Sequence, residues 1–228
     1  FSIFITIFLA INLIKSDSIL YLSSLIFYLI INYLDFNSQK GSWLLLLKDM
    51  KILVLGSNGL VGSSVKKVLS TKDTSLYDSY FSTRSSLNLF SSEETKRYFK
   101  NLNPDIIINC AGKVGGIVAN NENKSDFIID NLKINLNIFE AAKELTNVKN
   151  INLGSSCIYP LNAKNPIKED MIMTGELEPT NSPYAMAKLA SIELGKAISY
   201  NYGHEVVNLM PTNLYGPNDN FDFESSHV

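Results

Sequence analysis

From residue 50 onward, short apolar runs alternate with longer stretches in which apolar residues recur at helical spacing. The short runs are rich in Ile, Leu and Val, which is typical of strands buried in a parallel sheet. They predict strands over 51–55, 75–82, 106–111, 150–154 and 206–210. The longer stretches predict helices after Gly62 and over 93–102, 126–145 and 184–200. Alternating strands and helices predict an α/β fold with a Rossmann-type, doubly wound parallel sheet.

The first 49 residues have a different pattern. Two apolar runs, 1–14 and 19–34, flank the polar segment 15–18, and each run is shorter than the roughly 20 residues of a membrane span. The region is a membrane anchor, a degraded signal segment or a stretch foreign to the natural protein, and no basic segment or cleavage site supports a signal. We favour the third interpretation, because a strand and a glycine loop follow Met50 at once. We therefore expect a leader over 1–49 outside the native fold, a nucleotide-binding domain over 50–228, and a membrane partner only if the leader is genuine.

Composition narrows the class of protein. A net charge of -2 over 228 residues gives no reason to expect a nucleic-acid partner. The two cysteines, Cys110 and Cys157, have no paired spacing, which argues against a disulfide framework and against a metal site. A reducing, cytoplasmic location is expected from this cysteine usage.

A glycine-rich loop follows the first strand after Met50. Gly56, Gly59 and Gly62 have the spacing G-x-x-G-x-x-G, and a helical pattern begins directly after them. Strand, glycine turn and helix together are typical of nucleotide binding, because glycine lets the backbone approach a pyrophosphate and the helix N-terminus supplies N–H groups. An ordinary glycine-rich turn is the alternative interpretation.

The end of the second strand indicates which dinucleotide binds. NAD sites place an acid there for the ribose 2′-hydroxyl, whereas this strand ends in Ser82, Thr83 and Arg84. Arg84 is suited to a 2′-phosphate, which favours NADP(H). A solvated surface arginine is the alternative, and Asp78 lies too far inside the strand to be a good ribose ligand.

Tyr184 and Lys188 are four residues apart in a predicted helix and therefore share one face. A neighbouring ammonium should lower the pKa of the phenol, so that the tyrosine exchanges protons near neutral pH. Ser155 follows the strand at 150–154, where its hydroxyl can bind a substrate carbonyl. The plainer alternatives are a surface Tyr–Lys pair, a capping role for Ser155 and a packing role for Cys157; His204 is expected at the surface.

Four longer runs, at 111–121, 153–160, 177–184 and 210–221, resemble the extended short-chain dehydrogenases/reductases. They are most similar to the branch that epimerises and reduces GDP-linked 4-keto sugars. The resemblance extends over 50–228. It implies NADP(H) as cofactor and a GDP-sugar as substrate. The length of the helices at 126–145 and 184–200, taken from the sequence pattern, suits pairing of two copies into a homodimer.

The resemblance also implies residue roles. Ser155, Tyr184 and Lys188 match the reductase triad, and Cys157 and His227 match the pair that epimerises the sugar. The implied cofactor contacts are Gly56, Asn58, Gly59, Leu60, Val61, Gly62, Arg84, Leu153, Ser155, Lys188, Pro211, Asn213, Leu214 and His227.

Two departures from the family pattern limit the resemblance. Ser91 stands where an acid near the adenine is expected. Family members also continue past the position of Val228 into a smaller substrate domain, which we expect to be incomplete here.

Another nucleotide-sugar epimerase or dehydratase of the same fold is one alternative function. The other is a non-catalytic, NADP-binding or membrane-tethered protein, against which the intact Ser155, Tyr184 and Lys188 argue.

Overall fold

The computed structural model describes residues 3–6, 50–71, 77–216, 219 and 222. They form one parallel, six-stranded sheet with helices on both faces, in the order β1-β6-β5-β4-β2-β3. The strands are β1 (Ile3–Thr6), β2 (Met50–Leu55), β3 (Tyr77–Phe81), β4 (Ile106–Asn109), β5 (Lys149–Leu153) and β6 (Glu205–Met210). The helices are α1 (Leu60–Thr71), α2 (Ser92–Leu102), α3 (Ile117–Glu122), α4 (Lys124–Ala142) and α5 (Ser182–Tyr202). The predicted Rossmann-type, doubly wound sheet is confirmed.

The strand order places a crevice between β2 and β4. After β2 the chain moves outward to β3, and it then returns to the other side of β2 to form β4 and β5. At such a reversal the loops leaving the two central strands diverge, and ligands bind at the carboxyl ends of the strands. The Cys110 amide donates to the Leu55 carbonyl at 3.1 Å, so the glycine loop and the β4 loop start side by side.

Alternate residues of the buried strands face opposite layers. In β2, Ile52 and Val54 pack towards α1, while Leu53 and Leu55 pack towards α2 and α4. This two-sided burial explains why the strands have continuous apolar runs. Ile134, Ile138, Ala141 and Ala142 are all buried and form the inner face of α4.

Two elements differ from the sequence expectation. The short helix α3 was not predicted, because six residues carry too little periodicity to be recognised. Strand β1 comes from the leader, which we expected to lie outside the fold, and it pairs with β6 in the register Ile3↔Val207. Its alternation of branched and aromatic residues suits a strand. Residues 7–49 lie outside the described residues, so a domain boundary at Met50 stays a prediction.

His204 is buried, contrary to the expectation of a surface residue. It follows the C-cap glycine of α5, where Gly203 adopts a φ of +73°, and this turn directs the chain back under α4. The imidazole is 2% exposed, stacks on Tyr202 at 6.2 Å and faces the Ala142 and Lys143 carbonyls, and burial lowers its pKa.

Within the described ranges, no helix is both long and apolar enough to span a bilayer.

Candidate active site

The glycine loop is shaped by close backbone approaches. Gly56 has a φ of +71°, and a Cβ placed on it would lie 2.9 Å from the Ala111 backbone. A Cβ on Gly62 would lie 2.1 Å from the Gly56 carbonyl oxygen. Any side chain at these positions would therefore push the loop open. Leu60 and Val61 form the first turn of α1, which directly follows the glycine loop, and the first N–H groups of a helix have no carbonyl partner within it.

A cleft of about 220 Å³ extends from this loop to the loops after β3 and β4. Asn58 and Gly59 of the glycine loop line it, and so does Arg84 of the loop after β3, whose side chain is exposed. The cleft residues from the three loops are Gly56, Asn58, Gly59, Ser82, Thr83, Arg84, Cys110, Ala111 and Gly112. The cleft thus combines a glycine-rich loop, which a pyrophosphate can approach closely, with the Arg84 guanidinium, which can bind a 2′-phosphate. This combination fits NADP(H).

Two other residues near this cleft have structural explanations. Asp78 is exposed and pairs in register with Lys51, away from the carboxyl end of β3, so it is no ribose ligand. Ser91 is the N-cap of α2, and its hydroxyl accepts the Glu94 amide at 3.2 Å. The serine at the position where an acid was expected therefore stabilises a helix.

Helix α5 presents Tyr184 and Lys188 to the carboxyl end of β5. Pro183 occupies its first turn, Tyr184 follows, and Lys188 lies one turn further on. The Lys188 ammonium donates to the Leu153 carbonyl at 2.8 Å and lies 5.6 Å from the centre of the Tyr184 ring. A Cβ on Gly112 would be 3.8 Å from the same nitrogen, so Lys188 reaches the cofactor cleft.

Ser155 and Cys157 face Tyr184 from the turn after β5. The Ser155 hydroxyl caps a short 3-10 helix, Ser156–Ile158, by accepting the Cys157 amide at 3.3 Å, and it also hydrogen-bonds Tyr184. The capping and the site contact are therefore both present. Tyr159 is buried against Leu189 and belongs to the core.

Burial dominates the protonation of the site. It raises the pKa of Tyr184, and the nearby Cys157 adds to this effect, while the hydrogen bond from Ser155 lowers the pKa only in part. The expectation that Lys188 lowers the pKa of Tyr184 is therefore wrong for this structure. Lys188 is itself 6% exposed, and burial lowers its pKa to about 8, so that it still carries its charge at neutral pH.

The segment after β6 approaches the same turn. The Pro211 carbonyl accepts the Ser156 amide at 3.2 Å, which places Pro211 beside Ser155. Leu214 is half-buried and Asn213 is exposed. His227 lies outside the described residues.

Several buried asparagines escaped the sequence analysis. Asn131 is 1% exposed in α4; its Oδ1 accepts the Lys113 amide at 3.1 Å, and its Nδ2 donates to the Lys113 carbonyl at 2.9 Å. It thereby fixes the backbone beside Gly112. The sequence pattern that could have identified Asn131 is its helical spacing, three residues before Ile134 and seven before Ile138, which places it on the inner face of α4.

Comparisons with known proteins agree with this architecture. The model of the NAD dependent epimerase/dehydratase family matches residues 52–228. A GDP-L-fucose synthase from Sinorhizobium fredii is 43% identical over 80% of this chain and 57% of its own length. A GDP-L-colitose synthase from Yersinia pseudotuberculosis is 39% identical over 78% and 58%.

Among solved structures, a GDP-L-fucose synthetase from Naegleria fowleri bound to NADP superposes with a TM-score of 0.69 and 31% identity. The match covers 79% of this chain and 59% of that chain. The chain thus spans less than two thirds of the length of these relatives. The match of the family model over most of the sequence shows that the chain belongs to the NAD dependent epimerase/dehydratase family.

Proposed function

We propose that this protein is an NADPH-dependent epimerase and reductase that converts GDP-4-keto-6-deoxy-D-mannose to GDP-L-fucose. The observation that carries the proposal is the convergence of Ser155, Cys157, Tyr184 and Lys188 at the carboxyl end of β5, beside the dinucleotide cleft. The names of the relatives supply the sugar: the 43% identical relative is a GDP-L-fucose synthase.

The chain binds the dinucleotide through its three cleft loops in this proposal. The Gly56–Gly62 loop and the N-terminus of α1 hold the pyrophosphate, and Arg84 holds the 2′-phosphate. Lys188 and Pro211 lie towards the nicotinamide end, where Leu153 orients the ammonium. When bound, NADPH supplies the hydride for reduction at C4.

Tyr184 is the proton donor for the C4 oxygen. A donor must carry its proton at working pH, and the raised pKa of Tyr184 keeps the phenol protonated. Ser155 lies within hydrogen-bond reach of the phenol, so that both hydroxyls converge on one substrate oxygen. Lys188 contributes positive charge near the oxygen as the negative charge develops.

Cys157 is the base for epimerisation. The C4 ketone acidifies the hydrogens on its neighbouring carbons, C3 and C5, so a thiolate can remove one from one face of the ring. His227 returns a proton to the other face in this scheme. Because Cys157 and Ser155, which share one turn, both lie close to Tyr184 of α5, one bound sugar reaches the thiol and the phenol.

The two half-reactions separate by mutation in the complete gene product. Tyr184→Phe removes the proton donor and should slow reduction about 10²–10⁴-fold, while solvent deuterium still enters C3 and C5. Cys157→Ser should abolish this exchange, because a hydroxyl is far less acidic than a thiol. Deuterium incorporation is measured by NMR or mass spectrometry, and reduction by NADPH absorbance.

Cys110→Ser is the matched control for Cys157→Ser, because Cys110 is the chain's other thiol and lies at the cofactor cleft instead. It should retain deuterium exchange. Normal exchange in Cys157→Ser, or normal reduction in Tyr184→Phe, contradicts the assigned roles.

We also propose a cytoplasmic homodimer. Ile129, Leu132 and Leu136 form an exposed apolar row along α4, and Met186 is exposed on the neighbouring α5. Covering this row with the same row of a second copy buries both. The two cysteines are free thiols, which supports a reducing compartment.

A further inference from the structure

We propose that Asn181 is a positioning residue for Cys157: its side-chain amide donates a hydrogen bond to the sulfur, orients it and stabilises its thiolate form. Asn181 directly precedes α5, and its Nδ2 lies 3.4 Å from the Cys157 sulfur. The use of the thiolate rests on the proposed function, whereas the contact itself does not.

The Asn181 side chain has no other visible task in the described part of the chain. It occupies the N-cap position of α5, but its side chain makes no capping hydrogen bond there. Its Oδ1 is buried and finds no donor among the described residues. If the side chain served only as the N-cap of α5, this oxygen would accept a hydrogen bond from a backbone amide in the first turn of the helix. The contact with Cys157 is therefore the feature that accounts for the amide.

A carboxylate fixes the backbone that carries this amide. Glu178 accepts the backbone amides of Thr180 at 3.1 Å and Asn181 at 3.2 Å, and also the Thr180 hydroxyl. These bonds lower the pKa of Glu178 and keep it ionised. Lys124 of α4 further ties the turn down by donating to the Pro179 carbonyl at 3.2 Å. The amide is thus held in place before any ligand arrives.

The groups around Cys157 explain why the sulfur needs such a donor. Tyr184 and Lys188 of α5 are the titratable side chains that interact electrostatically with it. The phenol carries no charge at neutral pH, and Lys188 is buried and bonded to the Leu153 carbonyl. A neutral N–H donor stabilises a thiolate without adding a charge that must itself be buried.

The test is the alkylation rate of Cys157 by iodoacetamide at pH 7 and pH 10, quantified on the Cys157 peptide by mass spectrometry. Only the thiolate reacts. Asn181→Ala should slow the reaction about tenfold at pH 7, where the hydrogen bond favours formation of the thiolate, and hardly at all at pH 10, where abundant hydroxide forms the thiolate without help from the amide. Asn181→Asp, of the same size, should slow it further at pH 7, because a carboxylate repels the thiolate.

Ser182→Ala is the matched control in the same turn and should leave both rates unchanged. Cys110 is an internal reference, since burial raises its pKa to about 12 and keeps it slow in every variant. Unchanged reactivity at pH 7, or an equal loss at both pH values, overturns the proposal, because the latter reports altered access alone. The assay uses neither sugar nor NADPH, so its result is independent of whether the proposed activity is correct.

Discussion

Arg84 is the residue on which we expect cofactor choice to depend. It lies in the turn after β3, exposed and on the wall of the dinucleotide cleft. The hydroxyls of Thr83 and Ser85 hydrogen-bond each other at 2.9 Å, and the Thr83 amide donates to the Ser86 hydroxyl at 2.9 Å. The turn is therefore already ordered without a ligand, and the guanidinium extends from a fixed backbone.

Arg84→Ala should weaken NADPH binding about ten- to a hundredfold and leave NADH binding nearly unchanged. A charge-assisted hydrogen bond to phosphate contributes on the order of 1.5–3 kcal/mol. Titration calorimetry with both nucleotides measures the difference. Arg97→Ala is the control, because Arg97 is an exposed arginine on α2 outside the cleft lining. An equal loss for both nucleotides removes Arg84 from this role.

At this scale the sequence predicted which side chains meet, but not their protonation. Helical spacing places Tyr184 and Lys188 on one face of α5, and Ser155 directly follows the end of β5. Their convergence could therefore be predicted from local sequence patterns. The pKa of Tyr184 depends on burial by distant segments, which no local pattern encodes. Asn181 was missed for the same reason, since its partner sulfur is 24 residues away.

The elements of the site are joined by buried polar contacts across the sheet. Asn109, Asn152 and Asn208 occupy adjacent register positions of β4, β5 and β6. Their amides form a chain: Asn109 donates to Asn152 at 3.2 Å, and Asn152 donates to Asn208 at 3.1 Å and to Ser191 of α5 at 2.9 Å. Because buried amides are costly to leave unpaired, this chain fixes the register between α5 and the sheet.

The burial of Lys188 beside β5 predicts a pH dependence of stability. The folded pKa of Lys188 is about 8, below the ordinary 10.5, so the unfolded chain binds more protons between these values. This group therefore makes the free energy of unfolding rise from pH 8 to pH 10.5, by at most about 3 kcal/mol. This contribution to the free energy of unfolding is complete above pH 10.5, falls as the pH decreases towards 8, and is fully lost below pH 8.

Urea unfolding of the protein and of Lys188→Met, from pH 7 to pH 10.5, isolates this effect. Cys110 and Tyr184 have raised pKa values and act in the opposite direction, so the difference between the two proteins is compared, not either curve alone. The variant should be more stable at pH 7, and its advantage should shrink towards pH 10.5. A Lys133→Met control on the exposed face of α4 should show no such trend, and a pH-independent difference for Lys188→Met contradicts the prediction.

The sequence predicted the elements well where periodicity is long. Strands β2, β5 and β6 and helices α2, α4 and α5 lie within a few residues of their expected bounds. β4 ends at Asn109, two residues early, because the Asn109 side chain accepts the Ala111 amide at 3.1 Å and turns the chain towards the cleft. Such a local side-chain bond competes with the ladder in a way that hydrophobicity does not reveal.

On the scale of the whole molecule, the cleft, the turn that carries Ser155 and Cys157, and the apolar row on α4 all lie between residues 50 and 216. Starting the protein at Met50 should therefore leave NADPH affinity and the dimeric state unchanged. Calorimetry and light scattering of the complete and shortened proteins measure both. The comparison variant is Leu136→Glu, which should yield monomers, since Leu136 is 48% exposed at the proposed interface. A shortened protein that fails to fold refutes the boundary, and a dimeric Leu136→Glu refutes the interface.

The pairing of β1 with β6 has a consequence for how readily the protein aggregates at high concentration. A parallel strand at the margin of a sheet presents a row of backbone donors and acceptors, to which a strand of any other chain can add. In the described residues, Ile3–Thr6 occupies this row along β6, whose apolar residues include Val207 and Leu209. β1 covers the edge of the six-residue β6 and exposes an edge of only four residues, and a short edge strand limits intermolecular strand addition, so resistance to aggregation at high concentration depends on this short strand.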